Sequence, residues 1–570
     1  MDDSTHLQAA AIPPWRGNNR YSVMQRTHLR ADRVESGLDG VLATAPEDIV
    51  VASNRQPYRH EYGDDGEVTV DRPAGGLTAG LDAVMRMTEG TWIAWGDGDA
   101  DATVVDADDR VAVPPDRTGG DGEANPNSER SGGPVTGSGA SGTYTLRRLW
   151  LDDDEVEGYY YGVSNQVLWP LCHAALGTIE SCGDAWVDYR RVNDQFASAL
   201  SEAADDETLV WLQDYHLALA PRQIRGRTGE SDVDGEDGGR STADATLAHT
   251  WHIPWPSWDT FRACPHRNAV LDGLLGNDLL LFHVPRYCEN FLRSAERGLD
   301  ETTVDYDRGT VDYRGRTTTV RAVPMGVPAD RIRRRAGSRE ATGFRVAFRK
   351  HRGIDRDTRL AVGVDRLDYT KGIVQRLDAL ERLLEERPRW RGEVTLVQVG
   401  TESRSAIEAY HRYRERVEAT VERVNERFAT DDWRPVVYTT DMIPNEGLTG
   451  LYRAADLGVV SPVRDGMNLV AQEFVAAQGD DPGVLVLSDQ AGCHDVLGEW
   501  AVSVRPHDTE GFAAALDDAL SMPDRDRLRR ANALGDYVGD NDIESWLCDA
   551  LGAVSTVRRA NGSVTTRADD

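Results

Sequence analysis

The sequence predicts an α/β fold built in two halves. Short, continuous apolar runs recur along the 570 residues, and each is followed by polar or glycine residues and then by a helix-like pattern. Such runs are typical of buried parallel strands. A chain of this length is too long for one hydrophobic core. Pro324, Gly326 and Pro328 interrupt the pattern near the middle and predict a hinge between the halves.

The apolar runs place the strands in order along the chain. We predict strands in the first half at 48–53, 91–96, 208–214, 249–252, 279–282 and 320–328, and in the second half at 359–366, 393–400, 434–438, 457–460 and 483–488. Hairpin-like turns follow the first strand. A charged helix is predicted from about 405 to 429, with its charges on a solvated face.

Composition sets the domain limits. Residues 1–46 lack periodicity and predict a poorly ordered extension, and 556–570 form a polar tail. We assign 47–330 to a first domain, with low-complexity insertions at about 115–142 and 226–243, and 345–555 to a second domain.

The charge balance argues against some classes of function and indicates the environment of the protein. A formal net charge of −32 argues against nucleic-acid binding, because phosphates would be repelled. Only Lys350 and Lys371 are lysines among 64 basic residues, and such an acidic, lysine-poor surface predicts a halophilic source. Six unclustered cysteines indicate a reducing compartment, and no apolar run could span a membrane, so we expect a cytoplasmic protein. Clustered metal ligands are lacking, and neither a metal nor a cofactor is predicted.

The most informative stretch runs from Ser461 to Phe474, after an apolar strand and into a helix. Gly466 permits a sharp turn, and the backbone N–H groups of 467–470 (Met467, Asn468, Leu469 and Val470) would face an anion at the helix N-terminus. Asp465 and Glu473 are placed to accept hydrogen bonds from vicinal hydroxyls. These features suit a sugar nucleotide, although an ordinary strand-to-helix connection would also explain them.

Cationic, acidic and aromatic residues stand at other strand ends. Arg55, Arg366, Lys371 and Arg404 follow predicted strands, where ligands bind in open α/β sheets. A lysine kept in an arginine-rich chain suggests a site that needs a compact ammonium. Asp214 and His252 end two further strands and could orient a hydroxyl. Candidate sugar contacts are the glycine pair ending at Gly76 and the aromatics Tyr160 and Trp169, for which core packing is the alternative.

These motifs resemble, in order, those of the trehalose-6-phosphate synthase family of retaining GT-B glucosyltransferases. The resemblance covers about 48–550 and rests on eight motifs: Ser-Asn-Arg55, Ala-Gly-Gly76, Tyr160 to Trp169-Pro, Asp214-Tyr-His216, His252-Ile-Pro, Arg366-Leu-Asp-Tyr-Thr-Lys371-Gly, Thr401 to Arg404, and Arg464-Asp-Gly-Met-Asn-Leu-Val470. It implies two Rossmann-like domains facing each other across a cleft. The implied reaction transfers glucose from UDP-glucose to glucose 6-phosphate with retention, giving α,α-trehalose 6-phosphate.

The resemblance also divides the site residues between the two substrates. It gives the glucose 6-phosphate site to Arg55, Tyr160, Trp169, Asp214 and Arg404. It gives the donor site to Gly76, His252, Arg366, Lys371, Asp465, Met467, Asn468, Leu469, Val470 and Glu473. It makes Asp214, His252, Arg366 and Lys371 the catalytic residues. Arg366 and Lys371 would neutralise the departing diphosphate, and Asp214 and His252 would position the sugars.

Departures from the family pattern leave alternatives open. Gln213 stands where many members carry histidine, and Trp255 where phenylalanine is common. The rival activities are transfer to glycerol 3-phosphate and a non-catalytic sugar-phosphate sensor. ADP-glucose or GDP-glucose could replace UDP-glucose as donor, and the sequence is compatible with a homo-oligomer.

Overall fold

The computed structural model describes residues 48–72, 76–115, 142–179, 183–227 and 245–568. The predicted N-terminal extension and nearly all of both predicted insertions lie outside these ranges.

Two sheets of mainly parallel strands form the frame. The first has the order β10-β11-β12-β9-β8-β7-β1-β4-β6-β5, in which β10, β11 and β5 run antiparallel to their neighbours. The second has the order β15-β14-β13-β16-β17-β18 and is wholly parallel. The strands are β1 Ile49–Ser53, β2 Arg59–Tyr62, β3 Val68–Asp71, β4 Thr91–Trp95, β5 Arg110–Val113, β6 Tyr144–Leu149, β7 Leu209–Gln213, β8 Thr246–Thr250, β9 Leu279–Phe282, β10 Thr303–Asp305, β11 Thr310–Tyr313, β12 Arg316–Ala322, β13 Arg359–Arg366, β14 Val394–Thr401, β15 Val436–Thr439, β16 Leu457–Val460, β17 Val484–Ser488 and β18 Val502–Val504.

Helices cover both faces of each sheet. The α-helices are Gly76–Thr88, Asp101–Val104, Asp153–Glu155, Trp169–Cys172, Ala185–Ala203, Ala220–Arg227, Trp258–Phe261, Arg267–Leu274, Pro285–Gly298, Ala329–Ala336, Arg339–Arg352, Ile373–Glu386, Glu408–Phe428, Asn445–Ala454, Leu469–Ala477, His494–Leu497, Thr509–Leu520, Asp524–Asp540 and Ile543–Ala568. A π-helix spans Val156–Leu168, and short 3₁₀ turns occupy Leu176–Thr178, Tyr215–Leu217, Tyr369–Lys371 and Pro388–Trp390.

The strand pattern explains why both faces need covering. In β1, Ile49 and Val51 belong to one buried apolar cluster, whereas Val50 and Ala52 belong to another. Successive side chains of a strand point to opposite faces, so a continuous apolar run demands a helical layer on each side. Each predicted strand overlaps an observed one, and 279–282, 359–366 and 457–460 have the predicted bounds. The runs 249–252 and 320–328 extend beyond the ends of β8 at Thr250 and β12 at Ala322.

The chain passes between the halves twice. It leaves the first sheet after Ala322 and returns before the last helix, Ile543–Ala568, where the N–H of Ile543 donates to the carbonyl of Val327. The last helix packs against the first sheet, with the ring of Trp546 5.7 Å from that of Trp211. The predicted domain limits, which assign residues 543–555 to the second half, remain a proposal, and the packing of this helix against the first sheet lies across them. The predicted polar tail continues as helix to Ala568.

None of the helices described is long and apolar enough to cross a bilayer.

Candidate active site

The candidate site lies where the carboxyl ends of the two sheets meet. In the first sheet β9, β8, β7 and β1 are neighbours, and in the second β14, β13 and β16 are neighbours. Parallel neighbours end at the same edge, so the residues that follow them are brought together. These residues are His283, His252, Asp214 and Arg55 in the first half, and Arg404, Arg366, Lys371 and Asp465 in the second.

Lys371 and Asp465 form a close ion pair in the second half. The Lys371 Nζ lies 2.5 Å from Oδ2 of Asp465, which also accepts from the Asn468 side chain at 3.0 Å. Burial alone would raise the pKa of Asp465, but Lys371 and Asn468 hold it below its usual range. The loop therefore presents a charged carboxylate and an ammonium side by side.

The same loop touches the first half through its backbone. A Cβ at Gly466 would lie 2.0 Å from the carbonyl oxygen of His252, so only glycine allows this approach. The Tyr287 hydroxyl donates to the carbonyl of Asp465 at 2.9 Å. The sequence predicted a turn at Gly466, and the structure adds its contact with the opposite half.

Arg404 reaches from the second half onto aromatic residues of the first. Its guanidinium lies 4.1 Å from the ring centre of Trp169 and donates to the Tyr215 hydroxyl at 3.1 Å. It also donates to the Tyr410 hydroxyl at 2.5 Å, on its own side. Its side chain is 4% exposed, and a guanidinium stacked on a desolvated ring gains cation–π attraction.

Arg366 lies over the same ring, with its guanidinium 5.5 Å from the centre of Trp169. The two cations are balanced in part by Asp368, whose carboxylate is 3.5 Å from Arg404 and fully buried. Burial alone would raise the pKa of Asp368, but the opposing effect of Arg404 and Arg366 is larger. The pKa therefore lies below its usual value, and the carboxylate is charged. Two guanidinium groups and one carboxylate leave positive charge for an anion.

Tyr160 and Arg55 extend this region in the first half. The Tyr160 ring stacks on His216 at 5.9 Å and contacts Trp95 at 5.8 Å. Burial favours a neutral phenol, yet Arg404 and Arg55 bring the pKa of Tyr160 below its usual value. Arg55 is exposed, so its guanidinium is available to a ligand near Tyr160.

Asp214 occupies a strained backbone position directly after β7. Its φ of 67° lies in the left-handed region, which is uncommon for a residue with a side chain. Its Oδ1 accepts from the His252 N–H at 3.2 Å. Burial raises the pKa of Asp214 to about 6, against the effect of its backbone donors. The strain places a carboxyl group at the strand end, where a substrate hydroxyl could reach it.

The ring of His252 has a partner at each nitrogen. Nε2 lies 3.0 Å from Oε1 of Gln213, and Nδ1 lies 3.2 Å from Nε2 of His283. Burial holds the pKa of His252 well below its usual value, so the ring is neutral. In this arrangement the ring is an internal hydrogen-bonding group.

The remaining predicted donor residues lie around the start of the helix Leu469–Ala477. Asn468 has a φ of 68° and caps this helix through its side chain, which accepts from the Ala471 N–H. Met467 and Asn468 therefore precede the helix, and Leu469 and Val470 begin it. Glu473 is partly buried beside Tyr452, and burial raises its pKa. Gly76 begins the helix Gly76–Thr88, and the preceding residues 73–75 lie outside the described part.

The sequence interpretation missed four contributors: Asp368, Tyr215, Tyr410 and His283. Asp368 and Tyr215 lie inside motifs that the sequence analysis quoted, but nothing local shows that both contact Arg404. Tyr410 is 2% exposed on the helix predicted as a charged, solvated one. The one available signal was the position of Asp368, a carboxylate two residues beyond Arg366, which could have indicated a partner for a site arginine.

The described residues contain no group of three or more candidate metal ligands.

Comparison with known proteins gives a consistent picture. The model of glycosyltransferase family 20 matches residues 47–555. The trehalose-6-phosphate synthase of Mycolicibacterium smegmatis is 33% identical over 538 residues, covering 93% of this chain and 97% of that protein. An α,α-trehalose-phosphate synthase [UDP-forming] of Aspergillus niger is 32% identical over 500 residues, covering 87% and 88%.

Solved structures agree in fold. A structure from E. coli bound with UDP-2-fluoro glucose is 28% identical with a TM-score of 0.73, covering 90% of this chain and 99% of that chain. An α,α-trehalose-phosphate synthase (UDP-forming) of Burkholderia xenovorans, in complex with glucose-6-phosphate, is 28% identical with a TM-score of 0.72, covering 89% and 99%.

Proposed function

The chain belongs to glycosyltransferase family 20, and from that premise we propose that it transfers glucose from UDP-glucose to glucose 6-phosphate with retention, forming α,α-trehalose 6-phosphate and UDP. The Aspergillus niger relative is a UDP-forming trehalose-phosphate synthase and the Mycolicibacterium smegmatis relative is a trehalose-6-phosphate synthase. Two similar structures hold a UDP-glucose analogue and glucose-6-phosphate. The fold, with two Rossmann-like domains facing each other, is of the GT-B type.

One observation carries the proposal. Two separate positively charged groups meet at the carboxyl ends of the two sheets: Lys371 beside Asp465, and Arg404 with Arg366 over Trp169. The reaction needs two anion-binding sites close together, because the donor carries a diphosphate and the acceptor a phosphate. This arrangement supports transfer between two phosphorylated sugars.

On the donor side, Lys371 would stabilise the charge that develops on the departing diphosphate. The backbone N–H groups of Met467 to Val470 would face the same anion, and Glu473 would accept hydrogen bonds from the ribose. Asp465 would bind hydroxyls of the transferred glucose, and Gly76 would allow close approach of the donor. Arg366 lies between the two sides, so we assign it to the diphosphate with a secondary effect on the acceptor phosphate.

On the acceptor side, Arg404 and Arg55 would bind the phosphate of glucose 6-phosphate, with Tyr160 and Trp169 beside the sugar. Asp214 would orient the acceptor hydroxyl. His252 would position the glucose rather than transfer a proton, since both its ring nitrogens are bonded within the protein. The acceptor attacks from the face that the diphosphate leaves, and the leaving phosphate accepts its proton.

Product analysis tests the proposal. The purified protein would receive UDP-glucose with either glucose 6-phosphate or glycerol 3-phosphate, and UDP release and the sugar product would be followed. Trehalose 6-phosphate formed only with glucose 6-phosphate is the expected result. Release only with glycerol 3-phosphate would assign the rival activity, and no release with either would favour a sensor. Substituting ADP-glucose or GDP-glucose then tests the choice of base.

A cytoplasmic location and a homo-oligomeric state belong to this proposal as expectations from the sequence. Cys172, Cys288 and Cys493 are buried free thiols, as expected of a protein in a reducing compartment.

A further inference from the structure

Three side chains at the ends of adjacent strands form a hydrogen-bonded row. Gln213 ends β7, His252 follows β8 and His283 follows β9, and these strands are neighbours in the first sheet. The Gln213–His252 and His252–His283 contacts measure 3.0 and 3.2 Å. Gln213 and His283 are 1% and 2% exposed. Neither of these outer members is among the residues assigned above to a substrate.

The chemistry of the row fixes the direction of its hydrogen bonds. An amide oxygen only accepts, so His252 donates to Gln213 from Nε2. A neutral imidazole has one N–H, so Nδ1 of His252 accepts from Nε2 of His283. The Nδ1 of His283 then carries no hydrogen, and it lies 3.5 Å from the carbonyl oxygen of Val323, which is longer than a normal hydrogen bond. Burial lowers the pKa of His283 to about 4 and that of His252 well below its usual value, so both rings are neutral.

The row matters because of what the backbone of its middle member contacts. The His252 N–H donates to Asp214, and its carbonyl packs against Gly466 of the second half. The ring is held on both sides, so the row determines where this peptide group lies. A small shift of the His252 peptide would alter both the Asp214 carboxyl and the distance to the Asp465–Gly466 loop.

We propose that Gln213 and His283 are positioning residues that act through His252 to hold the first half in register with the donor-binding loop. The inference rests on the proposed function, since it assigns that loop to the donor. It accounts for glutamine at 213, because the amide supplies a neutral oxygen acceptor that fixes one tautomer of His252.

Paired substitutions test each outer member. Gln213→Met removes the acceptor at similar length, and His283→Leu removes the donor. We expect each to lower kcat about tenfold or more and to raise KM for UDP-glucose several-fold, with KM for glucose 6-phosphate within about twofold. His283→Gln keeps an N–H donor, so it should recover most of the activity that His283→Leu loses. Gln223→Met is the matched control, since Gln223 bonds only the carbonyl of Arg190 near the surface.

A spectroscopic readout separates this inference from the proposed function. In protein labelled with ¹⁵N-histidine, the signals lost on His252→Gln identify His252, which we expect as the Nε2–H tautomer. Gln213→Met should change those signals. A wild-type protein that makes no trehalose 6-phosphate contradicts the function, whereas the tautomer still tests the row.

Two results would overturn the positioning role: an Nδ1–H tautomer of His252, or folded Gln213→Met and His283→Leu proteins with wild-type kcat and KM. If Gln213→Met does not fold, Gln213→Asn replaces it, because the shorter amide draws the acceptor away from His252.

Discussion

Arg404 uses two properties that distinguish arginine from lysine, a planar face and several donors. It stacks on Trp169 while donating to Tyr215 and Tyr410. Arg404→Lys keeps the charge but loses the stacked plane and the paired donors. We expect KM for glucose 6-phosphate to rise about tenfold or more, which corresponds to about 1.4 kcal/mol, with KM for UDP-glucose little changed.

The control for this substitution is Arg359→Lys. Arg359 lies 5.6 Å from the Trp390 ring centre and bonds the carbonyl of Leu520, away from both substrate sites. The Arg359→Lys substitution removes the same kind of stacking at a distance from the cleft, so its initial rates should match those of the wild type. A larger effect on the donor than on the acceptor would contradict the assignment of Arg404.

We expect Asp214 to serve activity at a cost in stability, because its carboxyl group is buried. Its pKa of about 6 in the folded protein exceeds the ordinary 3.8, so the folded state holds this proton more tightly than the unfolded state does. Its favourable contribution is present below about pH 4 and is lost as pH rises through about 6. Asp214→Asn stays neutral, and we expect it to be more stable by about 2 kcal/mol at pH 8, allowing for partial exposure.

Urea unfolding at pH 8 and at pH 5 checks the sign of this effect. The advantage of Asp214→Asn should shrink at pH 5, and the exposed Asp431→Asn should show no such dependence. The kcat of Asp214→Asn should fall, because the amide no longer offers a carboxylate to the acceptor hydroxyl. An asparagine variant less stable at pH 8 than at pH 5, relative to wild type, would show that Asp214 is stabilised as an anion.

The loop between β16 and the helix Leu469–Ala477 depends on a glycine for its contact with the other half. A methyl group at Gly466 would lie 2.0 Å from a backbone oxygen, which cannot swing aside as a side chain could. We expect Gly466→Ala to lower kcat/KM for UDP-glucose by about a hundredfold or more. Gly343→Ala is the control, since its Cβ would meet nothing within 4 Å in the helix Arg339–Arg352, and it should be neutral or slightly stabilising.

Initial rates and thermal unfolding are measured for both Gly466→Ala and Gly343→Ala. Gly466→Ala should retain secondary structure while the two halves separate. An active Gly466→Ala protein would mean that the halves do not approach this closely during turnover.

At the scale of elements, local sequence predicted most strands and few of the contacts between them. A buried parallel strand is marked by its own apolar residues, so β9 and β16 were predictable with their bounds. The π-helix Val156–Leu168 was not, because its aromatic residues fit several structures. The contact of Asp368 with Arg404 joins loops from different strands, and no spacing in the chain encodes it. The same holds for Gln213 and His283, which each contact His252 because β7, β8 and β9 are neighbours in the sheet.

The two halves are joined by more than the hinge. The helix Ile543–Ala568 returns to the first sheet, and Arg558 contacts Glu207 at its surface. We therefore expect motions that open the cleft to bend the chain at two adjacent places, near Val327 and near Ile543. The sequence predicts a hinge at the first place through Pro324 and Pro328, and it offers no comparable signal at the second.

The net charge of −32 predicts how the whole molecule responds to salt. Like charges repel across the folded surface, and added salt shortens the range of that repulsion from about 10 Å at 0.1 M to about 3 Å at 1 M. We expect Tm to rise by several degrees between 0.05 and 1 M KCl and to change less above 1 M, where screening is nearly complete. Differential scanning calorimetry across a KCl series measures this.

Sucrose of equal osmolality is the control, because it stabilises without screening and should not reproduce the steep rise below 1 M. Exposed arginine–carboxylate pairs such as Arg423–Asp378 act in the opposite sense, since salt weakens them. Each such pair contributes little, whereas the net repulsion is summed over the whole surface. A Tm that falls steadily with KCl would show that the pairs outweigh the net charge, and the halophilic interpretation of the composition would then be wrong.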